Sequence, residues 1–204
     1  MVAKLIIAID IDDVLSETNE ATRLWANQRA GLDLQPHHYY VDEDYWAYYN
    51  RIWASHNVAD KVQFETFLEE LVDDQTHVPL VAGAAFAITQ LRQRYGIILI
   101  TARDPSLEAS TKKWLAEHFD FELPLYLSHN PKVAKGAASK GELCARLGVS
   151  YLIDDNIDNC QSAIDHGVEA ILFGDYGWNT RAPETAIRCK DWPTVVEYFD
   201  ERSR

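Results

Sequence analysis

Three short runs of aliphatic and β-branched residues, each stopping at a polar side chain, restrict this chain more than any other feature. The first is Leu5-Ile6-Ile7-Ala8-Ile9, which stops at Asp10 and continues as Ile11-Asp12-Asp13-Val14. The second is Ile97-Ile98-Leu99-Ile100, stopping at Thr101, and the third is Tyr151-Leu152-Ile153, stopping at Asp154-Asp155-Asn156. Continuous apolar runs of this length suit strands buried on both faces, as in a parallel sheet covered by helices, and do not suit half-exposed alternating strands. Sheets of that kind bind ligands outside the carboxyl ends of their strands. The polar groups should therefore emerge along one edge. Carboxylates two positions apart suit a hard divalent cation such as Mg2+, although the Asp10 segment by itself also reads as an acidic turn after an edge strand. Ser139-Lys140-Gly141-Glu142-Leu143-Cys144 adds a lysine at the start of an apparent helix.

The order Asp-x-Asp, Thr, Lys, Asp-Asp resembles the haloacid dehalogenase superfamily of phosphohydrolases. All four signature segments occur in sequence between about residues 5 and 160, each at the end of a suitable element. The resemblance implies an α/β fold with a Rossmann-like parallel sheet, helices on both faces and a small helical cap inserted after the first strand. It implies that Asp10 is the nucleophile and Asp12 the general acid/base, that Thr101 and Lys140 hold the transferring phosphoryl group, and that Asp10, Asp12, Asp154 and Asp155 form a Mg2+ site. Receiver domains also place acids, a Thr and a Lys at strand ends, but their phosphoacceptor stands alone on a later strand. Metal-dependent glycosyltransferases carry an Asp-x-Asp without the later Thr, Lys and Asp-Asp. Asp13 stands where many members of the superfamily have Gly and reads as a turn or helix-entry acid.

Elementary chemistry supports these roles. A phosphate ester is shielded by its own negative charge, so an anionic nucleophile needs cations and donors around the phosphoryl oxygens. A nearby lysine also keeps a carboxylate ionised. One carboxylate can protonate a leaving alcohol and then deprotonate the attacking water.

The chain has 204 residues, of which 47% are hydrophobic, enough for a sizeable core. Its formal charge of −13 disfavours polymeric nucleic acid as partner or substrate, since tracking phosphates requires clustered Lys and Arg. A small phosphomonoester is the expected partner. The cysteines Cys144, Cys160 and Cys189 lack metal-ligand spacing and read as neutral thiols in a reducing compartment, on helices or in a late loop. No apolar run approaches the roughly 20 residues of a spanning helix, and Met1-Val2-Ala3-Lys4 leads directly into the first strand, so a cytoplasmic protein without membrane association is expected.

Between the first two motifs the patterns are helical: residues 17–30 closed by Gly31, an aromatic-dense stretch from His37 to Trp53, and a helix through Phe64, Phe67, Leu68 and Leu71. The expected organisation is a catalytic core of residues 1–15 and 79–204 with a cap of residues 16–78. Tyr45, Trp46, Tyr49 and Trp53 recur at the spacing of one helix face. They either pack the cap's own core, or one or two of Trp46, Tyr49 and Trp53 face the cleft and stack on a planar base. His37-His38 reads as a loop feature. Arg103 either touches a phosphate or pairs with Asp104 or another nearby acid.

Further on, Leu123–Leu127 and Val168–Phe173 read as strands, the latter as the last one, with helices between. The early helical cap, Thr101-Ala102-Arg103, Ile153-Asp154-Asp155-Asn156 and late Trp178-Asn179 resemble the 5'-nucleotidase type C group, which includes the 5'(3')-deoxyribonucleotidases. That resemblance implies a Mg2+-dependent phosphatase of nucleoside monophosphates. The same site could instead serve another phosphorylated metabolite or a phosphoprotein, or the fold could bind phosphate without catalysis. Trp178-Asn179 either contacts substrate or only caps the last strand.

Overall fold

The computed structural model describes residues 4–39, 48–128 and 138–202. Its strands are β1 (Ile6–Ile9), β2 (Gly96–Thr101), β3 (Leu125–Leu127), β4 (Tyr151–Asp154), β5 (Glu169–Phe173) and β6 (Ile187–Cys189). The helices are α1 (Thr18–Ala30), α2 (Tyr48–Ser55), α3 (Phe64–Asp73), α4 (Ala84–Leu91), α5 (Glu108–His118), α6 (Lys140–Arg146), α7 (Ile157–Asp165) and α8 (Trp192–Glu201).

All strand pairs are parallel, in the order β3-β2-β1-β4-β5-β6. Within each apolar run, alternate residues serve opposite faces. Ile7 and Ile9 of β1 pack into a core shared with α4, α5 and α8 through Leu91, Trp114 and Phe199, whereas Ala8 faces the core made with α6 and α7 through Cys144, Cys160 and Ala163. Helices on both sides explain why the runs carry no polar alternation.

The strand order reverses direction between β1 and β4. Two neighbouring strands whose connections depart to opposite sides leave a crevice at their carboxyl ends, where an α/β sheet receives its ligand. Asp10 directly follows β1 and Asp154 ends β4, with the Asp10 N–H donating to the Ile153 carbonyl at 2.9 Å. Side-chain caps hold the helices that start at this edge or support it. Ser139 accepts from the Glu142 N–H at the start of α6, Asn156 from the Asn159 N–H at the start of α7, and Asp191 from the Thr194 N–H at the start of α8. Each such cap is worth about 1 kcal/mol. Fully buried Trp192 donates Nε1–H to the Val14 carbonyl at 2.9 Å, anchoring α8 to the loop that follows β1.

The helical insertion after β1 contains α1, α2 and α3. Its outgoing and returning segments are bonded to each other: Glu17 N–H donates to the Pro79 carbonyl at 2.8 Å and Val81 N–H to the Leu15 carbonyl at 2.7 Å. Two apolar clusters fill the insertion, one around Tyr39, Ile52, Trp53 and Val58, the other around Ala21, Phe67 and Leu71.

Val168–Phe173 is not the last strand. β6 follows on the sheet edge, and Cys189 lies in it rather than in a loop or helix. Ile-Arg-Cys is too short to show a pattern, and its place is set by pairing with β5. Burial pushes the Cys189 thiol up to about 11 and raises Cys144 and Cys160 as well, so none is a nucleophile at neutral pH. Among the described residues no helix is long and apolar enough to cross a membrane.

Candidate active site

Asp10, Asp154 and Asp155 are buried at the β1/β4 crevice, and one carboxylate oxygen from each lies within 4.8 Å of the others. Lys140, buried at the first turn of α6, places Nζ 3.0 Å from Asp10 Oδ1 and 2.6 Å from Asp154 Oδ2. Asp154 is further fixed by the Asn156 N–H at 2.9 Å and by the Asn159 amide. Gly141 lets this lysine arrive: a Cβ there would lie 2.1 Å from the Ser162 carbonyl oxygen, so only glycine permits α6 to approach α7 so closely.

This buried cluster has too little positive charge. Burial pushes the Asp10 carboxyl up to about 7, with Lys140 pulling it down and Asp154 and Asp12 pushing it further up. Burial, then the charges of Asp154, Asp13 and Asp10, raises Asp155 well above the usual carboxylate range. For Lys140, burial opposes the charge, but Asp10 and Asp154 outweigh it and hold the amine above its ordinary value as a permanent cation. Three carboxylates against this ammonium leave two negative charges, which a divalent cation would balance. Carboxylate oxygens are also the donors that Mg2+ takes. The residues present therefore fit the metal.

Asp12 is positioned differently from the expectation that its side chain joins the metal ligands. Its carboxylate is not one of the three clustered acids and is bonded to Arg103 and Thr18. Arg103 Nη2 lies 2.7 Å from Oδ1, Nε lies 3.1 and 3.0 Å from Oδ1 and Oδ2, and the Thr18 hydroxyl donates to Oδ1 at 2.6 Å. Burial alone would raise this carboxyl; Arg103 outweighs it and holds Asp12 below the usual range. Of the two alternatives open for Arg103, these contacts show the pairing with an acid. Besides Asp12, the guanidinium donates to Gln75 Oε1 at 2.8 Å, Thr111 Oγ1 at 2.9 Å and Ser16 Oγ at 3.2 Å, which occupies its five N–H groups within the protein. Its acid is Asp12, not Asp104, whose side chain caps the turn at Ser106.

Thr101 lies fully buried at the end of β2, where its hydroxyl oxygen accepts from the Arg103 N–H at 3.2 Å. An oxygen that already accepts a bond keeps its own proton for donation.

Asp13 adopts a backbone conformation that favours glycine. Its φ is 57°, the left-handed region that a glycine occupies without strain and an aspartate more readily than most residues. Its carboxylate accepts from the Asn19 N–H at 2.9 Å in the first turn of α1, which makes it a helix-entry acid. Trp178, expected either to contact substrate or to cap the last strand, donates its Nε1–H to Asp155 Oδ2 at 2.7 Å, and its ring stacks on Tyr176 with centroids 4.5 Å apart. Asn179 bridges the Asp155 and Phe173 carbonyls, closing the ends of β4 and β5. No pattern in the sequence pairs residue 178 with residue 155; only the adjacency of β4 and β5 does.

Solved structures share this fold. A haloacid dehalogenase-family hydrolase from Deinococcus radiodurans R1, with bound phosphate and sodium, superposes with a TM-score of 0.64 at 14% identity, over 98% of this chain and 96% of that one. The chain has the haloacid dehalogenase-like fold. A haloacid dehalogenase-like family hydrolase from Streptococcus pneumoniae gives 0.61 at 14% identity, over 98% and 100% of the two chains. The D,D-heptose 1,7-bisphosphate phosphatase of B. bronchiseptica, complexed with magnesium and phosphate, gives 0.56 at 14% identity, over 97% and 99%. No protein-family model and no curated protein matches. The buried Asp10, Asp154 and Asp155 are the kind of acid cluster that Mg2+-dependent phosphatases with the haloacid dehalogenase-like fold use.

The aromatic residues expected near substrate are distributed otherwise. Trp53 is fully buried in the insertion's core, donating Nε1–H to the Tyr39 hydroxyl at 3.0 Å, and Tyr49 stacks on Phe64 at 4.5 Å. Both pack the insertion's own core, one of the two alternatives that their spacing left open; Trp46 lies outside the described residues. A cavity of about 170 Å3 is lined by residues that include Asp13, Glu20, Arg23, Tyr176 and Trp178.

Proposed function

We propose that this protein is a Mg2+-dependent phosphomonoesterase that works through an aspartyl-phosphate on Asp10. The observation that carries this reading is the buried Asp10, Asp154 and Asp155 cluster with Lys140 bonded into it, at the crevice where the sheet's connections diverge. Asp10, Asp154 and Asp155 would hold the metal, which when bound neutralises phosphoryl oxygen charge. Lys140 and the Thr101 hydroxyl would bind the remaining oxygens, replacing the water that stabilises a phosphate in solution. Asp10 attacks phosphorus as the bond to the leaving oxygen breaks, and Asp12, reacting in its protonated form, gives that oxygen a proton and becomes the carboxylate that Arg103 stabilises. Asp12 then takes a proton from water as the water oxygen attacks phosphorus and the bond to Asp10 breaks.

The insertion of residues 16–78 acts in this reading as the substrate-selecting cap. The leading substrates are nucleoside 5'-monophosphates or deoxynucleotides. Two features support them over substrates with a second phosphate: the stacked Tyr176 and Trp178 offer an aromatic wall, and the cavity beside them carries more carboxyl than guanidinium groups. Phosphate release in Mg2+ from ribo- and deoxyribonucleoside monophosphates, sugar phosphates and an aryl phosphate tests both levels. Asp10→Asn should abolish turnover of every substrate. Preference for nucleotides supports the substrate class, equal or better use of sugar phosphates overturns it, and no turnover of any substrate overturns the phosphomonoesterase itself.

A further inference from the structure

Asp12 is gripped unevenly. Its Oδ1 receives Arg103 Nη2 at 2.7 Å, Arg103 Nε at 3.1 Å and the Thr18 hydroxyl at 2.6 Å, whereas Oδ2 receives the Nε–H at 3.0 Å. A carboxylate held by a planar guanidinium fork loses its freedom to rotate, and the more heavily bonded oxygen is the poorer proton carrier. Arg103 is itself immobilised from behind. Its Nη1 is shared between Gln75 Oε1 and Thr111 Oγ1, and the Gln75 amide donates in turn to Ser110 Oγ at 2.8 Å. Arg103 side-chain exposure is 5% against 29% for Asp12, so the fork holds Asp12 from the protein side and leaves its outer edge open.

We propose that Arg103 is a positioning residue that orients Asp12 so that Oδ2 exchanges the proton with the leaving oxygen and with water. Gln75 and Thr111 hold the fork in place. This rests on the phosphomonoesterase reading. Gln75 belongs to the segment by which the insertion returns to the core, while Ser16 and Thr18, which also meet Arg103 Nη2, belong to the segment by which it leaves. The guanidinium thus ties both roots of the insertion to the proton-transferring carboxylate. A side chain with this role affects chemistry rather than affinity. Misplacing a catalytic group by about 1 Å costs about 100-fold in rate.

The test is steady-state and rapid-mixing kinetics of Arg103→Lys on an alkyl phosphate and an aryl phosphate, in Mg2+. Lysine keeps the charge and loses the fork. On the alkyl phosphate, kcat should fall at least 10-fold with KM within about threefold of wild type, because acid/base catalysis is worth about 100-fold or more. The aryl leaving group needs no proton, so Asp10 should still be phosphorylated rapidly and a burst of phenol should precede slow turnover. Added guanidinium ion should restore kcat in Arg103→Ala. A rise in KM at constant kcat would make Arg103 a substrate ligand and overturn the proposal. An equal loss on both phosphates without a burst, unrescued by guanidinium, would reduce it to a structural residue and also overturn it. If Arg103→Lys fails to fold, Thr111→Val decides: a lower kcat at unchanged KM supports the proposal, and a wild-type kcat overturns it. A wild-type enzyme inactive on all phosphomonoesters would instead remove the reading beneath.

Discussion

Replacing Asp10 with asparagine should make the metal-free protein more stable at alkaline pH while removing its activity. A carboxyl moved from 3.8 to about 7 by burial keeps its proton more tightly in the fold than in the unfolded chain. Between those two values the native state binds more protons, so stability falls as pH rises through the window, and above it the whole cost is present. One decade of pKa is about 1.4 kcal/mol, which puts the cost of ionised Asp10 at about 4 kcal/mol at pH 8 and under half of that at pH 5. Asparagine has the shape of the protonated carboxyl and carries no such cost, while Lys140 keeps Asp154 at 2.6 Å as its partner. For a chain of this size the gain corresponds to about 10 °C in melting temperature. Calorimetry or urea unfolding in EDTA at pH 5 and pH 8 measures it. The advantage of Asp10→Asn should widen from pH 5 to pH 8, and adding Mg2+ should narrow it by stabilising the wild type preferentially. An asparagine variant that is no more stable than wild type at pH 8, or whose advantage shrinks as pH rises, would refute the claim that the cluster lacks positive charge.

Three further outcomes are expected. Trp178→Phe keeps the stack on Tyr176 but removes the bond to Asp155 Oδ2, so Mg2+ titrations of activity should show affinity about 10- to 100-fold weaker, with kcat recovered at saturating metal. Asp13→Ala should be about 1 kcal/mol less stable than Asp13→Gly in urea unfolding, because both lose the bond from Asn19 but only alanine is strained at a φ of 57°. Gly141→Ala should lower the melting temperature and turnover together, because the 2.1 Å approach to the Ser162 carbonyl forces α6, and Lys140 with it, away from α7.

The features legible in the sequence are those in which one short segment carries both structure and chemistry. Ile6–Ile9 followed by Asp10, and Tyr151–Ile153 followed by Asp154 and Asp155, announce buried strands ending in acids, and parallel pairing brings those ends together. Lys140 was legible because a lysine at a helix start is unusual beside such acids. What escaped depends on contacts across long stretches of chain. Arg103 meets Asp12 from 91 positions away and Trp178 meets Asp155 from 23, and in neither case does local pattern choose that partner over the many other acids. Tyr49 and Trp53 have the spacing of one helix face, which says that they share a side and not which side is wet. β6 was missed because three residues with an arginine at the centre contain no periodicity.

The mutual bonds between Leu15 and Val81 and between Glu17 and Pro79 have an architectural consequence. Because the two strands of chain entering and leaving the insertion are fastened to each other, the sheet experiences everything between them as the tip of a hairpin. The entropy of closing a loop grows slowly with its length once its ends are joined. Helices can therefore be lengthened, shortened or exchanged beyond the clasp at little cost to the sheet, and the acids at its edge keep their places whatever is mounted above them.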